Sequence, residues 1–134
     1  MIDFDAIWRK IQEVQRRARA VSALEDRATD ISVKYSDMPR GGGGNSQEDI
    51  RIALADTREE YITAKAELES MRRELTESLA CLSKWQHKDV IKKRYLEGKT
   101  IDQVGLEMGY ERAQINRHLS EARRIINAAA RAET

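Results

Sequence analysis

Arginine, glutamine and asparagine are the side chains that can read a base pair edge-on, because their forked or paired donors and acceptors match the N7/O6 edge of guanine or the N6/N7 edge of adenine. Four such residues, Arg112, Gln114, Asn116 and Arg117, fall within residues 112–117. For that chemistry they need a rigid helix whose other face is buried. Ile115, Leu119, Ala122 and Ile126 recur at spacings of four, three and four and supply the inward face.

A shorter helix should precede it. Thr100 can cap it, Ile101, Val104 and Met108 form its apolar side, and Gly109 can end it in the left-handed conformation. Two short helices joined at a glycine form a helix-turn-helix pattern. Gly105, mid-helix where glycine costs roughly 1 kcal/mol against alanine, makes sense if the two helices cross too closely for a side chain.

Other chemistries find little support. His87 and His118 are the only histidines and lie far apart in sequence, so no metal or catalytic set is recognisable. His118 sits beside the apolar stripe and reads as a partly buried structural residue. Cys81 is the only cysteine, which excludes an intrachain disulfide and favours a reduced, intracellular setting; with Met71 it reads as core filler. The glycines of residues 41–44 lack the Lys-Ser/Thr ending and preceding strand of a phosphate cradle. Paired carboxylates and nucleophile-base pairs are also missing, so neither an enzyme nor a cofactor or metal protein is expected.

The formal charge of +1 hides an asymmetry. Residues 84–134 hold 11 of the 24 basic and 7 of the 23 acidic residues, an excess of four positive charges, leaving 13 and 16 for residues 1–83. A basic module joined to an acidic one suggests that only the former meets a polyanion. With 35% charged residues, few aromatics and every apolar run broken by charge, the chain should be soluble, cytoplasmic and free of membrane spans.

The remaining elements read as long helices. Asp3 or Asp5 opens the first, with Phe4, Ile7, Ile11, Val14, Ala18, Val21, Leu24, Ala28 and Ile31 along one seam. Residues 32–45 form a glycine-rich loop in which Val33 and Tyr35 favour extended backbone and Pro39 stops the helix. Ser46, with Asp49 three residues on, starts the second helix, whose stripe Ile50, Leu54, Thr57, Tyr61, Ala64, Leu68, Met71, Leu75, Ser78 and Leu82 should run unbroken to residue 83. Its surplus length should pack through Leu79, Leu82 and Trp85 on a C-terminal module or on a second chain. That module begins with a helix over residues 87–96, Val90, Ile91 and Tyr95 facing inward.

Two stretches, YSDMPRGGG at 35–43 and RYLEGKTIDQVGLEMGY at 94–110, together resemble a family of small phage and prophage proteins whose C-terminal part is similar to region 4 of bacterial sigma factors. Late-gene transcriptional regulators of the ArpU type, from phages of Gram-positive bacteria, have a comparable module. The resemblance implies an all-α chain: a long antiparallel, coiled-coil-like helical hairpin over residues 1–84, then a sigma-region-4-like three-helix helix-turn-helix module over residues 85–134. It maps the DNA-facing positions onto Arg112, Ala113, Gln114, Asn116, Arg117 and Ser120. Glu111 stands where such modules have a capping Ser or Thr.

The expected function is therefore a sequence-specific, DNA-binding phage transcriptional regulator working at the host nucleoid. Arg112, Gln114 and Arg117 would make base or phosphate contacts, with Lys99 and Arg124 holding the backbone of double-stranded DNA. A homodimer is favoured, because one module covers little DNA. RNA polymerase as a further partner stays open, with Leu106 the candidate contact. A small-terminase-like packaging subunit and an adaptor working through the helical hairpin remain the alternatives.

Overall fold

The computed structural model describes the backbone of residues 1–37 and 44–132 and the side chains of residues 1–29 and 47–132. Every element among them is helical: α1 (Phe4–Asp37), α2 (Gly44–Ser78), α3 (Trp85–Ile91), α4 (Ile101–Met108) and α5 (Arg112–Ala132). None is long and apolar enough to cross a membrane.

Of the two candidate caps of α1, Asp3 does the capping, its Oδ1 accepting from the Ala6 N–H at 3.0 Å. The apolar seam is as expected as far as Ala28, with Phe4, Ile7 and Ile11 buried and Val14, Ala18, Val21, Leu24 and Ala28 half-buried; the last expected member, Ile31, lies outside the residues whose side chains are described. The expected loop over residues 32–45 is not observed at its ends. α1 continues through Val33 and Tyr35 to Asp37, and α2 already starts at Gly44, so Ser46 lies inside a helix instead of capping it. A β-branched or aromatic residue costs a growing helix well under about 1 kcal/mol, whereas Pro39 cannot be accommodated; α1 ends two residues before it. The glycine-rich stretch of residues 38–43 lies outside the described residues.

α2 buries Ile50, Ala64, Leu68 and Leu75 and half-buries Leu54, Thr57, Tyr61 and Met71. It does not reach residue 83. A 3₁₀ turn, Leu79–Cys81, follows Ser78, and Leu82 is extended. That tighter winding, three residues per turn against 3.6, keeps Leu79 and Leu82 in the core but rotates Cys81 outward, so the cysteine is exposed and not core filler. Trp85 is also exposed, at 59%, because the extended Leu82 restarts the helix in a register that turns Val90 and Ile91 inward instead.

Contacts divide the chain into two compact units. In the unit Gln12–Glu67, the α1 and α2 segments are joined by ion pairs of Arg17 with Glu60 at 2.8 Å and of Arg58 with Glu25 at 3.0 Å. These pairs are solvent-facing and contribute direction more than stability.

The other unit combines Met1–Ile11 with Leu68–Thr134. α3 runs into a π-helical turn, Lys92–Leu96, closed by the Glu97 N–H donating to the Lys92 carbonyl at 2.9 Å. Tyr95, in that turn, is a hub. Its ring packs on Phe4 with centroids 5.2 Å apart, its carbonyl accepts from Arg72 Nε at 2.9 Å, and its hydroxyl accepts from an Arg123 guanidinium nitrogen at 3.2 Å. The preceding Arg94 lays its guanidinium 3.4 Å from the Trp8 ring centroid, a cation–π stack. Asn127 on α5 then accepts the Ile2 N–H at 3.0 Å.

The residues 100–111 behave as their types predict. Thr100 accepts from the Gln103 N–H while the Gln103 side chain accepts from the Thr100 N–H, a complete capping box. Gly109 ends α4 at φ 72°, and the Tyr110 N–H donates back to the Gly105 carbonyl at 3.0 Å. A Cβ on Gly105 would lie 2.8 Å from the Tyr110 carbonyl oxygen and 3.8 Å from Ile115 Cγ1. The crowding partner is thus the turn itself first and α5 second.

Gly105→Ala should lower stability by about 2 kcal/mol despite alanine's better helix propensity, and Gly109→Ala by about 1 kcal/mol, the cost of the left-handed conformation. Urea unfolding of both variants checks this. A Gly105→Ala chain at least as stable as its parent would mean that the close approach does not limit the packing.

Candidate nucleic-acid interface

α5 is sharply two-faced. Ile115, Leu119, Ala122 and Ile126 are buried, at 0 to 2% exposure, against α3, α4 and the turn before α3. Ala113, Arg117, Ser120 and Arg124 are exposed on the opposite side, Gln114 and Asn116 on its two flanks, and Arg112 at the first turn of the helix. The helical period accounts for this division except at Arg112, which shares the side of Ile115 and is exposed by its place at the helix start.

Glu111 cannot cap α5 as a serine or threonine would. Its carbonyl accepts from the Ile115 N–H at 3.1 Å, and its own N–H donates to Gln114 Oε1 at 2.9 Å. Gln114 therefore spends one acceptor on the helix start. Its amide group keeps donor capacity for a ligand.

The cations differ in how firmly they are held. Arg112 stands 3.7 Å from Asp102 on α4, an ion pair between two largely exposed side chains that a competing phosphate or base edge can displace. Lys99 is tied more tightly. Its ammonium lies 2.8 Å from Glu97 and 2.7 Å from Glu107, while Lys93 reaches Glu107 at 3.5 Å. The hydrogen bond that Lys99 donates to Glu107, then that to Glu97, raises the Lys99 pKa, and the same bond from Lys99 holds the Glu107 carboxyl below its ordinary range. Lys99 thus presents little net charge outward.

Between α4 and the start of α5 lies a shallow, open depression lined by Ile101, Asp102, Gly105, Leu106, Tyr110 and Arg112, with Leu106 85% exposed at its side. It is too open for an enclosed small-molecule site. Its mixed charges suit a macromolecular rim better.

One cluster escaped the linear reading. His87 on α3, buried at 3% exposure, donates Nε2–H to Glu121 Oε2 at 3.0 Å, and the His118 ring approaches the His87 ring with centroids 5.9 Å apart. A donor atom from each of His87, His118 and Glu121 lies within 4.8 Å of the others. The two histidines, too far apart in sequence to be recognisable as a set, are neighbours in the fold, because α3 and α5 pack side by side and close the 31-residue gap. Burial, then the neighbouring His87, lowers the His118 pKa, and the hydrogen bond from His87 lowers that of Glu121. The one available signal was the spacing of His118 and Glu121, three apart on a helix.

No curated protein and no solved structure matches the chain. The family model described as "Protein of unknown function (DUF1492)" matches residues 29–127, well over half of the sequence and spanning α2 to α5, and the chain belongs to the DUF1492 family.

Proposed function

We propose that the chain is a sequence-specific DNA-binding transcriptional regulator of the phage type. Residues 85–134 act as a sigma-region-4-like helix-turn-helix module, in which α4 braces α5 and the first three turns of α5 enter the major groove. Residues 1–84 act as an antiparallel helical hairpin, consistent with the Arg17–Glu60 and Arg58–Glu25 pairs, along which the partner number falls as the α1 number rises.

The observation that carries the proposal is the exposed face of α5. Arg112, Gln114, Asn116 and Arg117, all of them base-reading types, are exposed within its first two turns, Arg117 directly away from the buried apolar face and the others on its flanks and at the helix start. Ala113 and Ser120 between them are small enough to allow close approach to base edges and phosphates. Arg124, exposed two turns further on, is placed for the phosphate backbone. Lys99 takes that role only when a phosphate displaces Glu97 or Glu107 from its ammonium. Leu106, protruding beside the groove, offers an apolar contact to a protein such as RNA polymerase. A homodimer supplies the second half-site that one module of this size needs for affinity.

Arg112→Ala and Arg117→Ala should each cost about 1–3 kcal/mol on a cognate promoter fragment and relax specificity, with little loss on unrelated DNA. If both variants bind as tightly as the parent, α5 does not read DNA. Native mass measurement discriminates further: a monomer or dimer fits regulation, whereas a ring of about eight or nine chains would point to packaging.

The acidic clamp generates a separate outcome. Glu107→Gln should release Lys99, strengthen binding to all sequences alike, and steepen the fall of log affinity with log salt by up to about 0.9. Titrations at several salt concentrations read this directly, and an unchanged slope would remove Lys99 from the interface.

A further inference from the structure

We propose that His87, His118 and Glu121 bind a divalent transition-metal ion, with zinc the best fit, and that the ion cross-links α3 to α5. This inference does not depend on DNA binding.

The geometry comes first. His118 and Glu121 are three residues apart on α5 and share one side of it, while His87 faces them from α3. Their donor atoms already lie within 4.8 Å of one another, and His87 Nε2 and Glu121 Oε2 are 3.0 Å apart. A tetrahedral zinc with bonds of about 2.0–2.1 Å holds its donors about 3.3 Å apart, so small side-chain rotations suffice to close the set.

The donor types select the ion. Two imidazoles and one carboxylate suit zinc and its borderline neighbours, whereas calcium and magnesium prefer all-oxygen surroundings. Three protein donors leave a position for water, and the half-buried His118 and Glu121 put the set within reach of solvent. His87 needs only to carry its proton on Nδ1 instead of Nε2, a tautomer change without net proton release.

A second observation points the same way. The Nδ1 of His118 is buried and has no hydrogen-bond partner among the described residues. Buried nitrogens without partners are rare in folded proteins, and this one, on a ring that contributes to the cluster, is accounted for if the ring turns to coordinate an ion. Opposing this, Lys84 and Arg117 bring positive charge near the cluster, which limits its affinity.

The test uses the full chain, stripped with a chelator and titrated with zinc chloride by calorimetry. One ion per chain should bind, and the melting temperature should rise with zinc in excess. Glu121→Gln and His118→Gln, each at a half-buried position where folding should survive, should lose affinity by at least about tenfold with helix content unchanged by circular dichroism. Cys81→Ser should bind as the parent does. Cobalt(II) in place of zinc should show d–d absorption without a thiolate charge-transfer band. No binding by the parent, or equal binding by Glu121→Gln and His118→Gln, would overturn the proposal and leave His87–Glu121 as a hydrogen-bonded structural pair.

Discussion

The packing of α5 depends on an atom that is not there. With no Cβ at residue 105, the Tyr110 carbonyl can sit where a side chain would begin, and the Tyr110 N–H can close back on Gly105. That reversal, completed by the left-handed Gly109, brings the chain round within three residues and starts α5 with Ile115 already against Gly105. Because a helix has a fixed angular period, placing Ile115 inside also turns Asn116 and Arg117 away from it, whereas Arg112, three residues before Ile115, is exposed because it stands at the first turn of α5, beside Asp102 of α4. The orientation of α5 is thus set by steric room at one glycine.

The charges near that interface work against bulk affinity. Lys99 is shared between two carboxylates and Arg112 has Asp102 within reach, so part of the module's positive excess is neutralised internally. If the chain binds DNA as proposed, this arrangement has a physical use. Non-specific binding to DNA comes almost wholly from phosphate neutralisation, whereas discrimination comes from base edges. Carboxylates that occupy the lysine and leave Arg117 exposed tilt the balance towards discrimination.

What could be read from the sequence, and what could not, follows the range of the interactions. The cap at Thr100, the end of α4 at Gly109, the lack of room at Gly105 and the buried faces of α1, α2 and α5 depend on residues within about one or two helical turns, and their types and periodicity state them openly, although neither the reciprocal bond to Gln103 nor the turn as the crowding partner at Gly105 is read from them. The winding changes were hidden. Neither the 3₁₀ turn at Leu79–Cys81 nor the π turn at Lys92–Leu96 has a compositional mark, and the first exposes Cys81 while the second presents Tyr95. Val33 and Tyr35 misled in the other direction, since their local preference for extended backbone is weaker than the propagation of an established helix. The meeting of His87 with His118 and Glu121 required knowing that α3 lies along α5, which no single window of sequence contains.

The same limit explains the role of the first eleven residues. By periodicity they are the start of a seam like any other, yet Phe4 and Trp8 engage Tyr95 and Arg94, and the Ile2 N–H engages Asn127 of α5. Tyr95 reaches three separate parts of the chain, and burial raises its pKa, keeping the phenol neutral as it accepts from Arg123. An α5 held at Arg123 and Asn127 by these contacts, and at its start by the glycine turn, has both ends of its buried face fixed. A helix clamped in that way presents its outer residues with little rotational freedom, which is the condition that the proposed reading of a ligand surface by those residues requires.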